Sequence, residues 1–209
     1  MKMVFLGPPG AGKGTLATMA SKNLGLPHIS TGDLFRAAIK NETGLGKTVK
    51  SILAEGRLVP DDLTIALVSE RLSLADAGKG WILDGFPRTV AQAEALQSIA
   101  PVDIVVNFEV KDELILYRLT GRRVCRNCGK IYHIATMAPD REGICDVCGG
   151  ELYIRPDDQE ESIKTRLEAY RDQTEPLIEW FGNLGRLVTI DGSGSPQSVY
   201  EKLAEVVKV

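Results

Sequence analysis

Short apolar, β-branched runs punctuate the chain at Met3 to Leu6, His28 to Ser30, Trp81 to Leu83, Ile104 to Phe108 and Leu187 to Ile190. Between them, apolar positions recur at helical spacing over Gly12 to Leu24, Asp61 to Ala75, Val90 to Ser98, Lys111 to Leu119 and Asp158 to Leu184. Near-continuous apolar strands alternating with helices predict an α/β fold, a parallel sheet covered on both faces. Two stretches break the rhythm. Thr31 to Val59 predicts two or three short helices without a strand. Arg122 to Asp157 is rich in Gly, Cys and short strand patterns, and its flanks read as the ends of an insert. The expected organisation is a core of residues 1–29, 60–121 and 159–209, a helical domain of residues 30–59 and an insert of residues 122–158.

A chain of 209 residues is long enough for one sizeable core with small inserts. A net charge of -3 supplies no overall field toward nucleic acid or an anionic membrane, so anion binding must come from local Arg and Lys. No apolar run approaches the ~18 residues of a membrane span, and Met1 to Leu6 is too short for the apolar stretch of a signal peptide. A cytoplasmic location is expected, where the four cysteines would stay reduced.

Gly7-Pro8-Pro9-Gly10-Ala11-Gly12-Lys13-Gly14-Thr15 lies between an expected strand and an expected helix. That is the context of a phosphate-binding loop. Its glycines allow backbone N–H groups to converge on phosphate oxygens, and the following helix adds its positive end. Lys13 supplies a full charge, and the Thr15 hydroxyl suits Mg²⁺ or a phosphate. The hydroxyl comes one residue later than in the general pattern because Gly14 follows Lys13, a variant that resembles the loop of nucleoside monophosphate kinases.

Trp81-Ile82-Leu83-Asp84-Gly85-Phe86-Pro87-Arg88 ends a second strand. Ligands of parallel sheets bind beyond the C-terminal strand ends. Asp84 is therefore placed to hold Mg²⁺ through water, and Arg88 to fork onto a phosphate. Arg122, Arg155 and Arg166 come from separate elements and suit a spreading phosphoryl charge. Arg123 and Arg126 read as surface charges. Thr31 reads on its own as a helix N-cap. The insert carries Cys125-x2-Cys128 and Cys145-x2-Cys148 with sixteen residues between the pairs. This is the spacing of a tetrahedral four-thiolate zinc site, which would staple an insert too small to bury a core. Adventitious iron or redox disulfides are the alternatives. Four thiolates fill the shell, which leaves His133 out, and His28 reads as packed at a strand start.

These segments resemble the adenylate kinase family, in its long-lid, zinc-binding form, over essentially the whole chain. The resemblance implies a P-loop NTPase core with a five-stranded parallel sheet in the order 2-3-1-4-5, a helical AMP-binding domain, a small zinc-stapled β lid and a monomer. It implies Mg·ATP + AMP ⇌ 2 ADP, for adenine nucleotide homeostasis. Lys13, Asp84, Arg88, Arg122, Arg155 and Arg166 would then be catalytic. ATP would meet Gly10, Ala11, Gly12, Lys13, Gly14, Thr15, Arg118, Arg122, Ile131, Tyr132 and Gly194. AMP would meet Thr31, Arg36, Arg57, Leu58, Val59, Gly85, Phe86, Pro87, Arg88, Gln92, Arg155 and Arg166. A kinase for UMP, CMP or GMP is the nearest rival. A zinc-ribbon nucleic-acid-binding ATPase is the other, but residues 122–158 hold as many Asp and Glu as Arg and Lys and offer no basic face.

Overall fold

Alternation along the first strand sets the layers. In the computed structural model, which describes residues 1–207, β1 (Lys2–Leu6) sends Met3 and Phe5 to one side and Val4 and Leu6 to the other. Both sides are buried, because helices cover both. The expected end of the core at residues 208–209 lies outside the described residues.

The chain continues through α1 (Lys13–Leu24), β2 (His28–Ser30), α2 (Thr31–Lys40), α3 (Gly44–Ala54), α4 (Asp61–Leu72), β3 (Trp81–Asp84), α5 (Val90–Ile99), β4 (Ile104–Glu109) and α6 (Asp112–Thr120). Three short strands follow, β5 (Arg122–Cys125), β6 (Ile131–His133) and β7 (Leu152–Tyr153). The last part is α7 (Glu160–Ala169), α8 (Pro176–Asn183), β8 (Leu187–Asp191) and α9 (Pro196–Val207).

The main sheet has five parallel strands in the order β2-β3-β1-β4-β8. β8 is its fifth strand along the chain, so this is the order the resemblance implies. On one face Leu16, Ala17 and Ala20 of α1 and Val199 and Leu203 of α9 pack on Phe5, Val106 and Phe108. On the other, Leu96 of α5 and Leu177 and Phe181 of α8 pack on Val4, Leu83 and Val105. Each fully buried Val, Leu or Phe side chain among these contributes about 1.5–3 kcal/mol. β1 and β3 are central, so the loops after Leu6 and Asp84 open side by side at the same sheet edge, with Phe5 opposite Asp84.

The two interruptions fold as small units. Phe35, Val49 and Val59 form the core of the helical one, where α2 and α3 pack so closely that a Cβ on Gly46 would strike the Ala38 backbone. The insert is a three-stranded antiparallel sheet in the order β6-β5-β7.

Two local expectations change. The N-cap of α2 is Ser30, whose hydroxyl accepts from Asp33 N–H at 3.3 Å, while the Thr31 hydroxyl donates to Gly85 O at 2.7 Å. Ser30 keeps extended backbone angles and Thr31 is already helical, so only Ser30 can reach the free N–H groups. The single helix expected over Asp158 to Leu184 is instead a 3-10 turn at Pro156–Asp158, then α7, a π turn at Tyr170–Thr174 and α8. Pro176 lacks an N–H and its ring crowds the carbonyl four residues back. The ladder widens just before it, with Glu175 N–H donating to Tyr170 O at 2.8 Å.

Candidate active site

One cleft of about 530 Å³ runs along the sheet edge beneath the insert. Gly10 through Thr15 form its floor at one end. Gly12 adopts φ +93°, a left-handed conformation that a side chain would strain, and so turns the loop into α1. The loop backbone runs close to Asp84: a Cβ on Gly14 would sit 3.4 Å from Asp84 Oδ2.

Lys13 Nζ donates to Gly7 O at 2.7 Å and Pro8 O at 2.9 Å. Burial lowers its pKa to about 8; Asp84 opposes the shift, and Arg88, Arg166 and Arg122 add to it. Burial works against the charge on Asp84, but His28, Lys13 and Arg88 outweigh it and hold the carboxyl below its usual range. His28, expected merely to pack, stands with Nε2 3.6 Å from Asp84 Oδ2.

Arg88 is fixed from three sides. Its Nε donates to Gly85 O at 2.8 Å, its N–H to Gln92 Oε1 at 2.8 Å, and its carbonyl accepts from Thr174 Oγ1 at 2.9 Å. Burial and then Arg166 pull its pKa down to about 10, still far above neutral pH. Arg155 is likewise pulled to about 10 by burial, Arg36 and Arg122, and its buried Nε has no hydrogen-bond partner among the described residues. Cations are thus forced together where an anion would relieve their repulsion. Lys13, Arg36, Arg57, Arg88, Arg118, Arg122, Arg155 and Arg166 line the cleft against three carboxylates, Asp33, Asp84 and Asp157. That excess suits a ligand with several phosphates.

Ile131, Tyr132, Gly194, Leu58, Gly85 and Pro87 also line the cleft, and a Cβ on Gly14 would sit 3.9 Å from Ile131 Cδ1. Arg118 lines the cleft while tied to the segment after β8: its Nη2 donates to the carbonyls of Gly192, Ser193 and Gly194 at 2.9, 3.2 and 3.1 Å. Thr31, Val59, Phe86 and Gln92 lie beneath the wall, all buried. Gln92 spends one amide hydrogen on Asp61 Oδ1 at 2.6 Å.

A sequence profile described as Adenylate kinase matches residues 5–186. A protein named adenylate kinase from Treponema denticola is 57% identical over 199 residues, covering 95% of each chain. Others of that name from Thermosipho melanesiensis and Bacillus licheniformis are 49% and 50% identical, covering 98% or more of each chain. This chain belongs to the adenylate kinase family.

The insert of this adenylate kinase family member brings Cys125, Cys128, Cys145 and Cys148 together, their sulfurs within 4.8 Å of one another. Cys125 and Cys148 Sγ are 3.4 Å apart, and Cys128 and Cys145 Sγ 3.6 Å. A zinc–sulfur bond of about 2.3 Å in a tetrahedron spaces its sulfurs by about 3.8 Å. The four thiols therefore fit zinc in both donor type and size. His133 stays outside the cluster, donating from Nε2 to Tyr117 O at 3.1 Å while Nδ1 accepts from Ala135 and Thr136 N–H.

Sequence reasoning missed the acids that organise the arginines. Arg122 Nε donates to Asp158 Oδ2 at 2.7 Å and its Nη2 to Oδ1. Arg166 bonds Asp158 Oδ1 at 3.2 Å and Asp157 Oδ2 at 3.0 Å, and Arg36 bonds Asp33 at 2.6 Å. Asp157 and Asp158 stand right after Arg155-Pro156 in the segment that closes the insert, and that adjacency was the available signal. Among the described residues, no helix is long and apolar enough to cross a membrane.

Proposed function

We propose that this chain is an ATP:AMP phosphotransferase that moves the terminal phosphoryl group of Mg·ATP to AMP and back, forming two ADP. The observation that carries this reading is the meeting of Lys13, Arg88, Arg122, Arg155 and Arg166 in one cleft lined both by the phosphate loop and by Arg36, Arg57 and Leu58 of the helical unit. The phosphate loop, Arg118, Gly194, Ile131 and Tyr132 mark the donor end. Arg36, Arg57, Leu58 and the Gly85 to Arg88 segment mark the acceptor end, with Thr31, Val59, Phe86 and Gln92 supporting it from beneath. The reacting phosphate would sit between them.

An AMP phosphate oxygen attacks the terminal phosphorus in line, and the bond to the ADP leaving oxygen breaks. The attacking oxygen is already anionic, so no general base is needed. The side chains position the two nucleotides and neutralise charge that spreads over the transferring group. Thr15 and, through water, Asp84 would hold Mg²⁺, which supplies charge neutralisation on the phosphates. Zinc in the four-cysteine site would be structural, holding the lid of residues 122–158 together.

The small domain of residues 30–59 and the lid would close over the nucleotides and exclude water as a competing acceptor. Two contacts support such closure. Lys40 Nζ lies 3.5 Å from Arg126 O in the insert, and Ser162 Oγ donates to Ala54 O at 2.9 Å. The enzyme would work as a cytoplasmic monomer on ATP, AMP and ADP, with no nucleic acid or membrane partner.

The deciding experiment is ADP formation from Mg·ATP with AMP, CMP, UMP and GMP compared as acceptors. AMP should be used far better than the others. A preference for another monophosphate would sink the adenylate assignment and leave the wider kinase reading standing.

A further inference from the structure

Tyr132 lies on β6 with its side chain buried against Cys125, Cys145 and Leu152. The same residue lines the cleft, on the side assigned above to the donor nucleotide. Its hydroxyl donates to Cys145 Sγ at 3.4 Å and accepts the N–H of Asp146 at 2.9 Å. Both bonds reach into the Cys145 to Cys148 turn, which supplies half of the thiol cluster.

A hydroxyl hydrogen-bonded to a ligating sulfur orients that ligand and tunes its hold on the metal. The phenol ring is rigid, so anything that fixes its hydroxyl also fixes the ring where it meets the cleft. We propose that Tyr132 is a positioning residue that couples the zinc site to the donor-nucleotide end of the cleft. Metal on Cys145 holds the ring in place for ATP. By reciprocity, ATP closing on the lid strengthens retention of the metal. The second half of this inference rests on the donor-site reading above.

The test follows zinc release from the full-length, zinc-loaded protein into a chromophoric chelator. Tyr132→Phe removes the hydroxyl and keeps the ring. Tyr153→Phe is the matched control: Tyr153 is in the same small sheet, but its ring packs under the Arg126 guanidinium, 4.5 Å away, rather than on a cysteine. Tyr132→Phe should release zinc about tenfold faster than wild type, and Tyr153→Phe at the wild-type rate. The thiolate-to-metal charge-transfer band of the Co²⁺-loaded protein should shift in Tyr132→Phe alone. Wild-type release and spectrum in Tyr132→Phe, or equal changes in both variants, would overturn the outer-shell role.

A saturating non-hydrolysable ATP analogue should then slow release in wild type and do so much less in Tyr132→Phe. If calorimetry shows the analogue binding while release is unchanged, the coupling is wrong and the donor site stands. If the analogue does not bind, the donor-site reading falls and takes the coupling with it.

Discussion

Asp158 clamps Arg122 with both carboxylate oxygens, tying the first strand of the insert to the turn that leads into α7. The Asp158 side chain is fully shielded from solvent, and it also bonds Arg166. One buried carboxylate thus allows two guanidiniums to stand together at the cleft while a net positive charge remains for phosphate. The clamp holds the two ends of the proposed lid together and, through Arg166 of α7, ties them to the core at the point where the proposed transfer chemistry would occur.

Replacing Asp158 with Ala should leave two buried cations with less compensation. Breaking a buried pair from one side costs about 3 kcal/mol, read as a lower urea midpoint. Misplaced arginines should also cut kcat by about 10- to 100-fold. Wild-type stability together with wild-type turnover would contradict the clamp.

Lys13 should take up a proton when a polyphosphate binds. Its pKa of about 8 in the free protein leaves it mostly neutral at pH 8.5, and a nearby polyanion favours the charged form. Calorimetry in buffers of different ionisation enthalpy should show net uptake at pH 8.5, little at pH 6.5, and none attributable to this site in Lys13→Met. That variant should also lose kcat by about a hundredfold or more. The same shift has a sign for folding. The folded state holds fewer protons on Lys13 between about 8 and 10.5, so this group makes stability rise with pH across that window and penalises the fold fully below it.

Gln92 would join stability to the proposed acceptor binding. Its amide satisfies Arg88 N–H and Asp61 Oδ1 at once. Gln92→Leu should leave both without that partner, at about 1–3 kcal/mol, and raise KM for AMP several-fold with KM for ATP nearly unchanged. An equal rise for both nucleotides would place Gln92's effect on the whole cleft instead of the acceptor end.

Cys145→Ser should abolish stoichiometric zinc and lower Tm by several degrees, because a four-thiolate site contributes folding energy to a unit with little core. Retained zinc at one equivalent with an unchanged Tm would refute the staple.

The local pattern of the chain was enough to place its five main strands and its contiguous motifs. The loop from Gly7 to Thr15, the Asp84 to Arg88 run and the two cysteine pairs are each short stretches in which neighbouring residues share one task. Their spacing therefore carries the chemistry directly. The full-length likeness to adenylate kinases agrees with that reading.

Tertiary structure alone decided how these pieces hold each other. Arg122 and Asp158 are 36 residues apart, and Arg118 finds its three carbonyls 74 to 76 residues away. No periodicity encodes such pairs, because they depend on where the insert folds back over the sheet edge. Ser30 rather than Thr31 caps α2 because backbone angles, not residue type, decide which hydroxyl can reach the helix end. The Tyr132 hydroxyl on Cys145 arises in the same way. Sequence names the groups that can bind phosphate or metal, while packing at a distance selects their partners, since a side chain's hydrogen bonds are settled only when its surroundings close around it.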